Sequence, residues 1–370
     1  MIDIGIIGAG NAGCITALTC QLFKRNNPNT IGDIFIYHDP SIPAEIVGQG
    51  TTPPAAYVIG DMLDIDYNNN SILYTLKNGN MFEGWGKKKD KHFHPFFLGS
   101  NSIHYVPKLL SKEVLKSGYF RVIEKNISNP EEELSHDLIF DCRGKLNRDS
   151  NFYEKLLNPL NAVIISNKKT DSMIRKNNSN CKLENDFEYT RSVATPDGWT
   201  FVIPNHDSVS YGYLYNSNIT KEVDARKNFK KQFGINSGLK INFDNYIAKD
   251  VFSGKRTVLN GNRLFFLEPL EATSVSAYNT ICEWILESVI EGYSRKKINS
   301  EVKKYIKELE TFVLWHYQFG SKYDSDFWDY AKSLSFKPDS NFNEMFDVKD
   351  DRIYGAWKKF SFDNWLQGVT

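Results

Sequence analysis

The chain has 370 residues, 45 basic and 45 acidic, for a formal net charge of zero, and 41% of it is hydrophobic with 14% aromatic. That suffices for one large α/β unit with a full core, and the charge balance excludes a whole-molecule field that would draw in nucleic acid or an anionic membrane. No apolar run approaches the roughly 18 to 20 residues that span a bilayer, so no membrane association is expected.

The five cysteines, Cys14, Cys20, Cys142, Cys181 and Cys282, form no CxxC pair or metal spacing. With no cleavable leader expected before the first strand, they point to a reducing cytoplasm. Ile2, Ile4, Ile6 and Ile7 predict a strand that runs into Gly8-Ala9-Gly10-Asn11-Ala12-Gly13 and then a helix through Leu22. This is a GxGxxG turn in the context it needs. Its glycines permit a tight turn and close approach of a pyrophosphate to the helix N-terminus, which makes Gly8, Gly10, Ala12 and Gly13 candidate cofactor contacts. The second strand, Asp33 to Tyr37, should end on an acid that holds the ribose; here it ends in His38-Asp39-Pro40, leaving Asp39 or His38 for that task.

A glycine-rich loop follows at Val47 to Pro53, then a strand-like run from Tyr74 to Trp85 whose lone charge before Glu83 is Lys77. A single strand lysine ordinarily points to water. Drawn into an apolar site, it becomes a tunable base or donor. Lys87, Lys88, Lys89 and Lys91 read as a solvated loop, and His92 and His94 lack the carboxylate or cysteine partners of a metal site, so no metal is expected.

Leu138-Ile139-Phe140 predicts a third strand, released into Asp141-Cys142-Arg143-Gly144, a turn suited to a flavin's pyrophosphate or ribityl side. Residues 168–186, rich in Lys and Asn, read as a surface excursion. Tyr189-Thr190, Asp197 to Pro204 and Tyr211 to Tyr215 alternate as antiparallel strands do, their aromatics reading as core. Arg263 to Leu267 then predicts a buried strand that Pro269 ends, and Val275, Tyr278, Ile281, Ile285 and Val289 recur as the apolar face of a helix. Thr273 and Ser274 fall at its start, as N-caps or as part of an anion site, with Glu271 facing the same space or serving as a first-turn acid. A helix over 297–317 ends in Trp315-His316-Tyr317, and the aromatic remainder through Trp365 suggests a helical lid.

Taken in order, these runs resemble the flavin-dependent tryptophan halogenase family, as a compact, divergent member. The glycine turn is followed by a G-E-x-T-x-P-like run, here Gly48-Gln49-Gly50-Thr51-Thr52-Pro53. Lys77, Gly79, Phe82 and Trp85 match K-x-G-x-x-F-x-x-W; His94 and Phe96 match an H-x-F pair; Asp141 to Gly144 is similar to I-D-C-x-G. Trp199 to Pro204 looks like W-x-W-x-I-P with Phe201 at the second tryptophan, and Phe266 to Ser274 resembles F-x-x-P-x-x-S-x-G within L-E-P-L-E-S-T-G, with Ala272 at its serine and Ser274 at its glycine. The family's G-x-A-x-x-F segment is missing between Asn262 and Glu268.

The resemblance implies an α/β fold in which an FAD-binding Rossmann-like domain of the glutathione-reductase type merges with an antiparallel sheet and a helical C-terminal substrate region. In one compact unit, 1–370, the FAD module would occupy about 1–60, 105–150 and 245–292, the substrate-side sheet about 61–104 and 151–244, and the helical region about 293–370. It further implies that a separate flavin reductase supplies reduced FAD, that oxygen and chloride or bromide yield hypohalous acid, and that Lys77 directs the halogen onto an indole or other electron-rich aromatic. Glu271 would be the catalytic glutamate that polarises the halogenating species or accepts the ring proton, Thr273 and Ser274 the halide contacts, and His94, Phe96, Trp199 and Phe201 the substrate walls. Gly48, Thr51, Thr52, Pro53, Asp141 and Gly144 would join the flavin site. A homodimer is compatible with this reading. The alternatives are a flavin monooxygenase on the same fold, for which Phe201 and the altered halide run speak, and a non-catalytic binding protein derived from a flavoprotein.

Overall fold

The computed structural model describes residues 1–45, 47–66, 69–96, 100–146, 151–169, 188–334 and 359–370, so most of the Lys- and Asn-rich excursion, with Cys181, lies outside the described residues. Five parallel strands form the first sheet, in the order Thr257–Leu259, Leu138–Asp141, Ile2–Ile7, Ile31–His38, Arg121–Glu124. The central strand is isoleucine-rich because both faces of a parallel sheet are covered; Ile4 and Ile6 have no exposed surface. Chain order reverses on either side of Ile2–Ile7, so its C-terminal end, where the glycine turn begins, is the switch point at which such sheets take ligands. The helix Asn11–Asn26 leaves that turn and packs on the helix Thr273–Ile290.

The second large sheet has seven strands in the order Leu239–Asn242, Ala162–Lys169, Ser208–Tyr215, Gly198–Pro204, Thr190–Thr195, Gly79–Glu83, Lys91–Pro95. The three strands expected to alternate do pair antiparallel, and Tyr211, Tyr213 and Tyr215 are core; only Thr190–Thr195 with Gly79–Glu83 is parallel among the pairs described. The run expected as one strand from Tyr74 to Trp85 is two. Thr75–Lys77 pairs with Ser102–Tyr105 in a small sheet that also holds Gln49–Gly50, and Asn78 then hands the chain to the large sheet at Gly79. A Cβ on Gly79 would meet the His94 carbonyl oxygen at 2.2 Å, so the crossing needs glycine. Lys77 therefore sits at a seam between two sheets.

Behind that seam pack the helices Arg295–Tyr317, Asp326–Ser333 and Lys359–Val369. The last lies on strand Lys91–Pro95, with His92 Nε2 2.9 Å from Asn364 Oδ1 and Gly368 so close that a Cβ would meet the His92 ring at 2.2 Å. Among the described residues, no helix is long and apolar enough to cross a membrane.

Candidate active site

Lys77 ends its strand with 1% of its surface exposed. Its Nζ donates to the Thr51 carbonyl at 2.9 Å and lies 5.1 Å from the Phe96 ring centroid, a cation–π distance. The lysine thus points inward rather than to the outer surface. Burial pulls its pKa down to about 8, against the charge of Glu271, which acts to raise it.

Glu271 lies in a short turn between strand Phe265–Phe266 and helix Thr273–Ile290, and both Glu271 (φ 61°) and Ala272 (φ 57°) are left-handed. Two consecutive non-glycine residues in that region persist only where the surroundings over-determine them. Glu271 Oε2 accepts from Asn80 Nδ2, and Oε1 accepts from His94 Nδ1 at 3.1 Å and lies 3.7 Å from His316 Nε2. Burial alone would raise this carboxyl. His94 and His316 beside it override burial and hold it well below the usual carboxylate range.

The helix expected after Pro269 begins at Thr273, and neither candidate N-cap caps it: the N-cap is Ala272, with no side-chain cap bond. Thr273 is fully buried and its hydroxyl has no partner among the described residues; Ser274 Oγ stands 3.5 Å from the Leu267 carbonyl oxygen. A helix N-terminus with a buried, unpartnered hydroxyl is chemically suited to a small anion.

One cavity of about 970 Å³ connects these groups to the glycine turn. Gly8, Gly10, Ala12, His38, Asp39, Gly48 and Gly144 line it at one end, Trp199 and Phe201 along the large-sheet wall, and Lys77, Asn80, Glu271 and Ser274 at the other. The turn fits a flavin dinucleotide: Gly8 has φ 105°, a Cβ on Gly13 would lie 1.9 Å from the Gly8 oxygen, and a Cβ on Gly10 would meet nothing within 4 Å, so the backbone is open to a phosphate there. Asp39 is already the acceptor for the Ser41 N–H at 2.9 Å and hydroxyl at 2.6 Å.

The remaining candidates stand behind this wall. Gly13 packs the helix on the strand; Thr51 holds Lys77; Thr52 is buried with a hydroxyl that has no partner among the described residues; Pro53 opens the helix Pro53–Leu63. Asp141 is held by Arg143 at 2.8 Å and Arg263 at 2.9 Å, which offset its burial and lower its pKa. His94 stands behind Glu271 and Phe96 beneath the lysine amine. Among the described residues no cluster of His, Cys, Asp and Glu could hold a metal. Asn80 and His316 also touch Glu271, and Glu268 accepts from Trp199 of the cavity wall; the sequence reading assigned none of the three a role. For Asn80 the available signal was its place in the Lys77-Asn78-Gly79-Asn80 run; Glu268 stood in the L-E-P-L-E run and His316 in Trp315-His316-Tyr317, with nothing to set either side chain apart.

A family model described as Tryptophan halogenase matches residues 3–108 and 116–369. Among curated relatives, Tryptophan 6-halogenase ThaL of Streptomyces albogriseolus is 24% identical over 155 residues, 40% of this chain and 29% of its own length; Tryptophan 7-halogenase KtzQ of Kutzneria sp. (strain 744) is 25% identical over 156 residues, with the same shares. The chain thus matches 29% of the length of these relatives. A crystal structure of a tryptophan halogenase from Shewanella frigidimarina NCIMB 400 is similar with TM-score 0.79 at 16% identity, covering 100% of this chain and 89% of that one. BrvH, a flavin-dependent halogenase from Brevundimonas sp. BAL3, is similar with TM-score 0.75 at 16% identity, covering 100% and 90%. At these identities the likeness is one of fold.

Proposed function

The chain belongs to the tryptophan halogenase family, and on that premise we propose that it is a flavin-dependent halogenase acting on an indole or another electron-rich aromatic, with Lys77 and Glu271 as its catalytic pair. One observation carries the reading: a buried lysine and a buried, ionised glutamate face one cavity that reaches back to a dinucleotide-type glycine turn. Gly8, Gly10, Ala12 and Gly144 would hold the cofactor, with His38 or Asp39 at its ribose. Reduced FAD bound there, delivered by a separate flavin reductase, supplies with oxygen and chloride or bromide an electrophilic halogen as hypohalous acid.

The chain's own residues do the rest. The lysine keeps its proton at neutral pH, since its pKa is about 8, and is aimed by Thr51 and Phe96. It donates that N–H to the oxygen of hypohalous acid, making the halogen the electrophilic end. A ring carbon takes the halogen as the oxygen–halogen bond breaks, the oxygen takes the Lys77 proton and leaves as water, and Glu271 accepts the proton displaced from the ring, which then restores the lysine. Asn80, His94 and His316 keep that carboxylate ionised and oriented. Thr273 and Ser274 would hold the halide. Burial of both groups keeps bulk water from consuming the oxidant.

The test is incubation with a flavin reductase, NADH, oxygen, bromide or chloride and a panel of indoles and phenols, read by mass spectrometry for a halogen isotope pattern. Halogenated product supports the reading. Absence of product with every aromatic while FAD binds overturns it; halide-independent oxygen incorporation identifies a monooxygenase, and failure to bind FAD identifies a binding protein.

A further inference from the structure

Two carboxylates three residues apart are gripped by adjacent side chains at one helix end. Glu268 has no exposed surface, and it accepts from Trp199 Nε1 at 2.7 Å, Asn158 Nδ2 at 3.1 Å and the Tyr317 hydroxyl, which lies 2.7 and 2.8 Å from its two oxygens. Its backbone N–H donates to Asn245 Oδ1 at 3.0 Å. Every one of these partners is neutral. His316, the neighbour of Tyr317, presents Nε2 to Glu271 at 3.7 Å, and between the two carboxylates lie Pro269 and Leu270, just ahead of the left-handed pair Glu271 and Ala272.

Stability does not account for a carboxylate at this place. An uncompensated buried charge costs several kcal/mol, and apolar replacements of buried ionic groups are often neutral or stabilising. What the carboxylate does that an apolar side chain cannot is bind three directional donors from three segments at once: the loop at Asn158, the cavity-wall strand at Trp199 and the helix end at Tyr317. We infer that Glu268 is a positioning residue, which pins the turn from Pro269 to Ala272 against Tyr317 and so sets the geometry of His94, Glu271 and His316. This rests on Glu271 acting as proposed above. Among the described residues Tyr317 is the ionisable partner that faces Glu268, and burial pushes the Glu268 carboxyl up to about 7, against its three hydrogen bonds.

The experiment compares wild type with Glu268→Gln and Tyr317→Phe. Nitrogen-15 spectra of the histidine side chains, assigned with His94→Gln and His316→Gln, report on the bonds to Glu271 without requiring turnover. Expected in Glu268→Gln are displaced His94 and His316 signals, and loss from those signals of the inflection near pH 7 that the Glu268 carboxyl imposes on them. FAD affinity by absorbance titration should stay within about twofold, while turnover falls about tenfold or more with little change in aromatic KM, as misplacement of a reacting group produces. Unchanged histidine signals and an unchanged inflection in both variants, with only a lower melting temperature, would overturn the inference. If Glu268→Gln does not fold, Tyr317→Phe decides with the same readouts, because it leaves the carboxylate two donors. Wild type that yields no halogenated product overturns the halogenase reading, and the histidine spectra still settle what Glu268 positions.

Discussion

On one side of Lys77 and Glu271 lies a cavity of about 970 Å³ walled in part by glycines; on the other the same groups back onto closely packed rings. Phe82 and Trp365 stand 4.2 Å apart, His316 and Trp365 4.7 Å, Phe312 and His316 4.7 Å, all tilted or edge-on as aromatic pairs prefer. Trp365 has no exposed surface, and among the described residues its indole N–H has no partner. The open side is built by removing side chains so that a cofactor can approach backbone. The closed side is built by filling space. Lys77 and Glu271 sit on the border, and so take their ionisation from packing rather than from solvent.

The largest effect should come from breaking the border itself. Lys77→Met should lower turnover by about a hundredfold to ten-thousandfold, the range general acid–base groups contribute, and yet raise thermal stability. The sign follows from burial: a native pKa of about 8 lies below the ordinary lysine value near ~10.4, so the native state bears the cost of the buried ammonium at every pH below about 8. That cost is up to about 3 kcal/mol, and wild-type stability should rise as pH climbs from about 8 to about 10. Melting curves of both proteins across pH 6 to 10 check this, and a variant less stable than wild type at pH 7 would contradict it.

Next in size, Gly13→Val strikes the open side. Its Cβ would fall 1.9 Å from the Gly8 oxygen, so the turn must shift, and FAD affinity in an absorbance titration should drop by at least about a hundredfold, about 3 kcal/mol. Affinity within threefold of wild type would show that the turn does not hold the cofactor. On the closed side, Trp365→Ala should cost about 3 to 5 kcal/mol in denaturant unfolding and leave FAD affinity unchanged, because the ring fills space behind the site. Loss of both together would mean that the two sides are not independent. The smallest effect is expected from Thr273→Val: its buried hydroxyl has no partner among the described residues to lose, so stability should rise by about 1 kcal/mol while halide KM rises several-fold. An unchanged halide KM would remove Thr273 from the halide site.

Much of this was legible in one dimension, and for a reason visible at particular residues. The glycine turn, the Thr273 helix start and the strands around them are short-range matters, decided by φ/ψ needs and apolar spacing within a few neighbours. Lys77 and Glu271 drew notice from motif context. Asn80 could not be paired with Glu271, 191 positions away, and nothing local marks His316 or Glu268 as partners of the same turn. The split of the Tyr74 to Trp85 run was likewise hidden, since it depends on which sheet edge each half meets.

The sequence by itself therefore determined the glycine turn after the first strand, the Thr273 helix start, the family resemblance and the residue types available for chemistry, because each follows from local backbone geometry and side-chain identity. Tertiary structure alone decided that Lys77 turns inward onto Thr51 and Phe96, that Glu271 stays ionised between two histidines, and that rings close the space behind them. Desolvation and charge proximity act through space, and the distances that set them exist only once distant segments have packed.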